Sequence, residues 1–336
     1  MNQTLRVLLI SLTSAIGVEL GAQQQASTLF ALARSADAIY VATATAISDP
    51  APDWHRVEFR VDDAMKGASR ASFAVLEPAG RCCGAALLDA EPGLQFVVFL
   101  QARGTALHPI AGDRGLVRAT PAIVAHIRET LAIAGQADQE TRLLARGLSN
   151  PEPRVAQDAA LALAAHPSTV RDPEARRAVA EALDRCVEQP TTALPALATT
   201  VARAEGPDAA LALVPRYLHA RSEEAANSLR YALESVPCDQ VAAAVRSETT
   251  QEESACIRAA ELLEQRADPS QLDVLQRLLR DAGTPRAKAH VVSALLEHGV
   301  DAKTLSLQVH KSVLAAAIAR HQQMSRRSQP FASPPR

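Results

Sequence analysis

The second half of this 336-residue chain repeats itself. Helix-like segments recur in pairs, and the second member of each pair begins near Pro151, Pro190, Glu223, Glu252 and Thr284, at spacings of 29 to 39 residues. A period in that range marks an α-solenoid, because a single helix pair cannot bury its apolar stripe alone and must stack on its neighbours. In QETRLLARGLSN, Leu143, Leu144 and Leu148 share one helical face, and Ser149-Asn150-Pro151 ends the helix with turn chemistry. PEPRVAQDAALALAAHPS then sets Val155, Ala159, Leu161 and Leu163 at near-helical spacing and stops at Pro167. The later pairs run from Pro173 to about Gly299 on the same plan, with Pro153, Pro173, Pro207 and Pro269 at or near first helical turns, where a missing N–H costs nothing. Pro195 and Pro215 fall inside expected helices, so kinked or split repeats are expected around them.

These pairs resemble HEAT repeats. The likeness rests on helix length, on the Pro or Asp at the turn within a pair, and on an Arg ahead of an Ala/Leu-rich stripe: Arg154 before Ala159-Ala160-Leu161, Arg258-Ala259-Ala260, and Arg286 before Ala294-Leu295-Leu296. It covers residues 137 to 320 and implies about five helix pairs. The Trp, Gly and Tyr pattern of tetratricopeptide repeats is absent.

The first half has a different period. After a short helix-like lead, TLFALARSADA, come AIYVATATAI (39 to 47), HRVEFRVDDAMKG (55 to 67), ASFAVLEP (71 to 78) and LQFVVFLQ (94 to 101), separated by Asp49-Pro50-Ala51-Pro52, Gly67, Pro78-Ala79-Gly80, Pro92-Gly93 and Gly104. VEFRV alternates, with Val57, Phe59 and Val61 on one face, whereas FVVFL is continuous, as in a strand covered on both faces. Short strands at this spacing predict a small antiparallel β-barrel or sandwich over residues 27 to 118, joined by a linking helix at 119 to 136 to the solenoid. The fold class is therefore α+β multidomain.

The β half resembles the tissue-inhibitor-of-metalloproteinase-like or netrin-like OB barrel of a type of secreted bacterial domain. The residues that match are Ala36-Asp37-Ala38-Ile39 at the opening strand, Met65-Lys66-Gly67 at a strand end, and Pro92-Gly93 leading to Phe99-Leu100. Members that inhibit metalloproteases reach the target zinc with a mature N-terminal cysteine. The Gln-rich start expected here has no cysteine nearby, so that activity is not carried over.

The chain opens with Arg6, an apolar run VLLISLTSAIGV and the small residues Gly21-Ala22, which predicts a signal peptide over residues 1 to 22 and a periplasmic or secreted protein. That run is shorter than the roughly 20 residues that span a bilayer. At the other end RRSQPFASPPR, basic and Pro-rich, predicts a disordered tail over 321 to 336. A net charge of −2 gives no electrostatic case for nucleic acid or an anionic membrane, and 3% aromatic content leaves few rings for stacking bases or sugars.

In an oxidising compartment the five cysteines become candidate staples. Cys82 and Cys83 are adjacent, so they lack the two intervening residues of a thioredoxin-like pair and the usual zinc-site spacing. Neighbouring Cα atoms lie about 3.8 Å apart, less than a relaxed disulfide wants, so a staple to another cysteine is favoured over a buried thiol or a strained redox or metal role. Cys238 and Cys256 flank one expected helix pair and form a second candidate bridge, with small core hydrophobes as the alternative for these and Cys186.

The nine histidines occur singly without His-Glu-x-x-His, and are expected to be solvated or capping residues; His290 and His298, eight apart, share a helical face. No Gly-x-Ser-x-Gly, Walker or dinucleotide glycine pattern occurs, and the adjacent carboxylates Asp62-Asp63 point to opposite faces of a strand. No catalytic, cofactor or metal residue is assigned. The expected function is an exported, non-enzymatic binding or scaffold protein with a protein or peptide partner, no nucleic acid, and no stable membrane insertion after signal cleavage. A second class, an envelope metalloprotease inhibitor or protease regulator, rests on the barrel resemblance alone. A third is an enzyme with a site assembled from distant histidines.

Overall fold

The computed structural model describes residues 28–51, 54–78, 91–103, 106–110, 115–166, 170–248, 252–264 and 268–327. The expected signal peptide and the Cys82-Cys83 pair lie outside the described residues. The chain forms two compact units, Met1–Val179 and Ala180–Arg336.

In the first unit α1 (Leu29–Ser35) precedes six strands: β1 (Ala38–Ala51), β2 (Trp54–Lys66), β3 (Ser72–Pro78), β4 (Gln95–Arg103), β5 (Ala106–Pro109) and β6 (Leu116–Arg118). All pair antiparallel in the order β3-β2-β1-β4-β5, with β6 on the same outer edge of β4 as β5. One face collects Tyr40, Val57, Phe59, Val75, Phe96, Val98 and Leu100 into a core, with Phe59 and Phe73 stacked at 5.2 Å. The other face sets Ile39, Val41, Val97 and Phe99 against Leu29 and Leu32 of α1 and Ile123 and Ile127 of α2 (Pro121–Ala132). FVVFL is thus buried on both faces, as its continuous apolarity requires.

A small antiparallel barrel or sandwich is the expectation; the structure shows one antiparallel sheet that does not close into a barrel. β3 and β5, the ends of the hydrogen-bonded order, approach each other without pairing. Repeated register shifts along β1 and β2 supply the curl that brings them near, since bulges increase local twist. β5 and β6 escaped the sequence pattern because they are only four and three residues long.

Two of the motifs behind the netrin-like resemblance fasten α1 to this sheet. Asp37 takes the Ala102 amide on its carboxylate at 2.8 Å and gives its own N–H to Leu100 at 2.9 Å. Lys66 Nζ lies 3.3 Å from the carbonyls of both Ala33 and Arg34 at the end of α1, where a cation is favoured. Gly67 adopts φ +90°, and an added Cβ would stand 2.8 Å from that of Ala38, so only glycine fits.

Helices α2, α3 (Ala137–Gly147) and α4 (Pro153–Ala165) complete the first unit. The solenoid is expected to begin at 137; α3 and α4 fall within the first compact unit. α4 packs on α1, placing Val155 in the helix-side core.

After α5 (Pro173–Glu188), which crosses the division, come α6 (Leu194–Ala204), α7 (Ala209–Leu218), α8 (Glu223–Leu233), α9 (Cys238–Ser247), α10 (Glu253–Glu264), α11 (Leu272–Asp281), α12 (Pro285–Glu297), α13 (Ala302–Ser306) and α14 (Lys311–Arg327). Ser222 and Thr284 cap α8 and α12 by accepting the amides of Ala225 and Ala287. Within this solenoid-like unit α7 packs on α9 and α9 on α11, while α6 packs on α8, and α10, α12 and α14 pack in series. Pro195 was expected to interrupt a helix and instead sits in the first turn of α6. Pro215 does lie inside α7. The tail expected to be disordered from residue 321 is helical to Arg327, because Arg320 and His321 are anchored on α10 and α12.

Candidate functional site

Polar side chains in the second unit pair across helices 29 to 35 residues apart in sequence. Arg216 reaches Asp184, 32 residues back; Arg258 reaches Glu223, 35 back; Glu264 takes the hydroxyl proton of Ser293, 29 ahead. Three joints, α5 to α7, α8 to α10 and α10 to α12, therefore carry a polar fastening.

At one joint the fastening opens into a cleft of about 280 Å³, lined by Asp184, Val187, Glu188, Arg216, His219 and Arg221. The first three occupy the last turn of α5; Arg216 lies in the last turn of α7, and His219 and Arg221 lie just beyond it. Arg216 donates from Nε and Nη2 to the two oxygens of Asp184 at 2.7 and 3.1 Å, and from Nη1 to the Ala212 carbonyl. That bidentate fork fixes the guanidinium as one wall. Behind it Arg258 Nη1 caps the end of α7, donating to the carbonyls of Leu218 (3.3 Å), Tyr217 and Ala220.

His219 is half exposed, its Nδ1 3.6 Å from Glu252. Arg221 is exposed and has no ion-pair partner among the described residues. The cleft thus offers guanidinium and imidazole donors beside the carboxylates of Asp184 and Glu188. Mixed donors and acceptors of this kind suit a polypeptide segment, whose backbone and side chains present both. Sequence inspection for catalytic motifs passed over these residues; the signal that would have found them is the Asp184 to Arg216 separation of one repeat.

The cysteines and histidines singled out from sequence are dispersed. Cys238 opens α9 half buried, and Cys256 is buried in α10. Both are free thiols, as is Cys186, so the expected Cys238 to Cys256 bridge is not formed. Cys256 points into the apolar packing instead, where cysteine behaves as a small hydrophobe.

His126 is not solvated: its side chain is 4% exposed, with Nε2 3.5 Å from Asp158 but out of line for a hydrogen bond. His290 and His298 do share a face, meeting α10 at Glu261 Oε1 (3.2 Å) and at the Leu263 carbonyl (3.0 Å). Asp62 accepts from Thr43, Gln95 and Arg60, whereas Asp63 turns to Arg128. Partial burial raises the Asp62 carboxyl, but these hydrogen bonds and the Arg60 charge outweigh it and hold it below the usual value.

Among the described residues, no group of three or more His, Cys, Asp or Glu side chains gathers closely enough to hold a metal ion, and no helix is long and apolar enough to cross a membrane. Comparison with protein families, with characterised proteins and with solved structures gives no match for this chain.

Proposed function

We propose that this chain is an exported, non-enzymatic binding protein, and that its helical unit, built of HEAT-like pairs, receives a protein or peptide segment at the α5–α7 cleft. The observation that carries the proposal is that cleft: a rigid guanidinium wall, an unpaired Arg221 and a half-exposed imidazole beside two carboxylates. Stacked helix pairs are suited to such work, because each joint repeats the same surface with local variation.

The test is affinity capture from the native host's envelope fraction, run in parallel with wild-type protein and with the double variant R216E/R221E. A partner recovered by the wild type and lost in the variant, while α-helical circular dichroism is unchanged, supports the proposal. Equal recovery by both removes the cleft from it.

A further inference from the structure

The joint between α10, α12 and α14 buries a charge cluster that no binding surface uses. Glu264, on α10, is 9% exposed and holds Arg320 of α14, whose Nη1 lies 2.7 Å from each carboxylate oxygen. Ser293 of α12, fully buried, donates to Glu264 at 2.9 Å and takes an Arg320 proton at 3.0 Å. Glu261, one turn before Glu264, receives Arg320 Nη2 at 3.3 Å, and on the same oxygen faces His290 Nδ1 at 3.2 Å. That buried nitrogen has no well-aligned hydrogen bond. Two carboxylates and one guanidinium sum to −1 when the imidazole is neutral and to zero when it is protonated. With the Arg320 side chain 20% and that of Glu261 32% exposed, an uncompensated charge here is partly screened but still costs stability.

We propose that His290 supplies the missing positive charge, so that α14 seats fully on α12 when His290 is imidazolium and loosens when it is neutral. The terminal helix is then held by a proton.

The surrounding groups define the pH range. Tyr217 of α7 also stands near Glu261, and burial, followed by the Glu261 charge, pushes its hydroxyl up to about 12, so it stays neutral. The Glu261 carboxyl is raised by burial, but the close contact and charge of His290 and the charge and hydrogen bond of Arg320 prevail and hold it below its usual value. Of the charged groups of α11, Asp273 pairs with Arg246, Arg277 pairs with Asp281, and Arg280 is exposed.

Two other histidines adjoin α14. His321 lies 3.2 Å from Glu297 of α12, its Nδ1 likewise buried without a well-aligned hydrogen bond, and acts in the same sense as His290, but its side chain and that of Glu297 are the more exposed pair, at 30% and 44% against 19% and 32%. His310 accepts the Ser312 amide on Nδ1 at the start of α14, a weak cap that protonation removes, so it acts in the opposite sense. Histidine ordinarily titrates near about 6.5, so solutions at about pH 5.5 and about pH 8.5 bracket the transition.

Amide hydrogen exchange of the full chain, corrected for the pH dependence of intrinsic exchange, reads the seating of residues 311–327 against α7 as internal control. In the wild type, α14 protection is expected to fall between the lower and the higher pH. H290Q is expected to show the loosened level at both pH values, and H321Q to keep most of the fall. A flat wild-type profile, or a fall that survives in H290Q, overturns the proposal.

Discussion

Asp158, in the middle of α4, receives the backbone N–H groups of Leu29 and Phe30, 129 and 128 residues upstream, and so caps the first helix from across the unit. The same carboxylate lies 3.5 Å from the buried His126 of α2. One side chain with no exposed surface thereby ties α1, α2 and α4 to one another.

Removing Asp158 therefore strands two amides and takes away the carboxylate beside the His126 ring. D158A is expected to destabilise the first unit by about 3 kcal/mol, the lower end of the cost of breaking a buried charged contact. D158N retains an acceptor and should lose less. Urea unfolding followed by circular dichroism checks the order; equal midpoints for wild type and D158A would show that Asp158 carries no stability.

The distance in sequence between such partners explains what composition and period reveal and what they hide. The helices are legible because Leu143-Leu144-Leu148 spacing or a Pro153 start is local. Strands β1 to β4 are legible because VEFRV and FVVFL carry their periods within themselves. His126 reads as a solvated residue until Asp158 arrives from 32 residues away, and Arg320 reads as the edge of a tail until Glu264 meets it across 56. The open edge of the sheet is equally hidden, since whether β3 and β5 pair depends on curl accumulated over every strand between them.

Gly67 provides a test of the β2 to β3 turn. G67A places a side chain in a left-handed conformation and presses its Cβ to 2.8 Å from that of Ala38, so a loss of about 1 to 3 kcal/mol is expected. G93A shares the positive φ but meets nothing within 4 Å, and should cost less. Thermal denaturation of the two variants side by side gives the comparison, and an equal loss would refute the close-approach account.

Arg258 bridges repeats by hydrogen bonds more than by charge. Its side chain is 12% exposed and caps three carbonyls at the end of α7 while touching Glu223, which is 83% exposed. R258A is expected to cost about 2 kcal/mol, R258K nearly as much because an ammonium cannot span the same acceptors, and E223A almost nothing. If E223A matched R258A, the ion pair and not the cap would be the fastening.

Acid should loosen the α10–α12–α14 joint through Glu261. Its carboxyl is held below its usual value, so its contribution is complete above about pH 4.3 and is lost as pH falls through the lower folded-state value. E261Q should flatten the acid limb of a stability profile of the second unit, in a range below that in which histidine titrates. An acid limb of unchanged slope in E261Q would assign it to other carboxylates.

At the alkaline end the controlling group is a thiol. Burial, followed by the charges of Asp281 and Glu253, pushes Cys256 up to about 11 from an ordinary value near 9.0. A raised folded-state value means that the neutral thiol is favoured by folding. That stabilisation is whole below about pH 9 and declines as pH rises toward 11, with Tyr217 adding a similar loss toward 12. Near neutral pH Cys256 should therefore resist alkylation in the folded chain, while the half-buried Cys186 and Cys238 react. C256A should blunt the alkaline loss of helical signal, at the expense of a small cavity in α10. Mass-spectrometric counting of labelled thiols over time gives the rate order. Labelling of Cys256 as fast as Cys238 would mean that α10 opens far more readily than its packing against α12 implies.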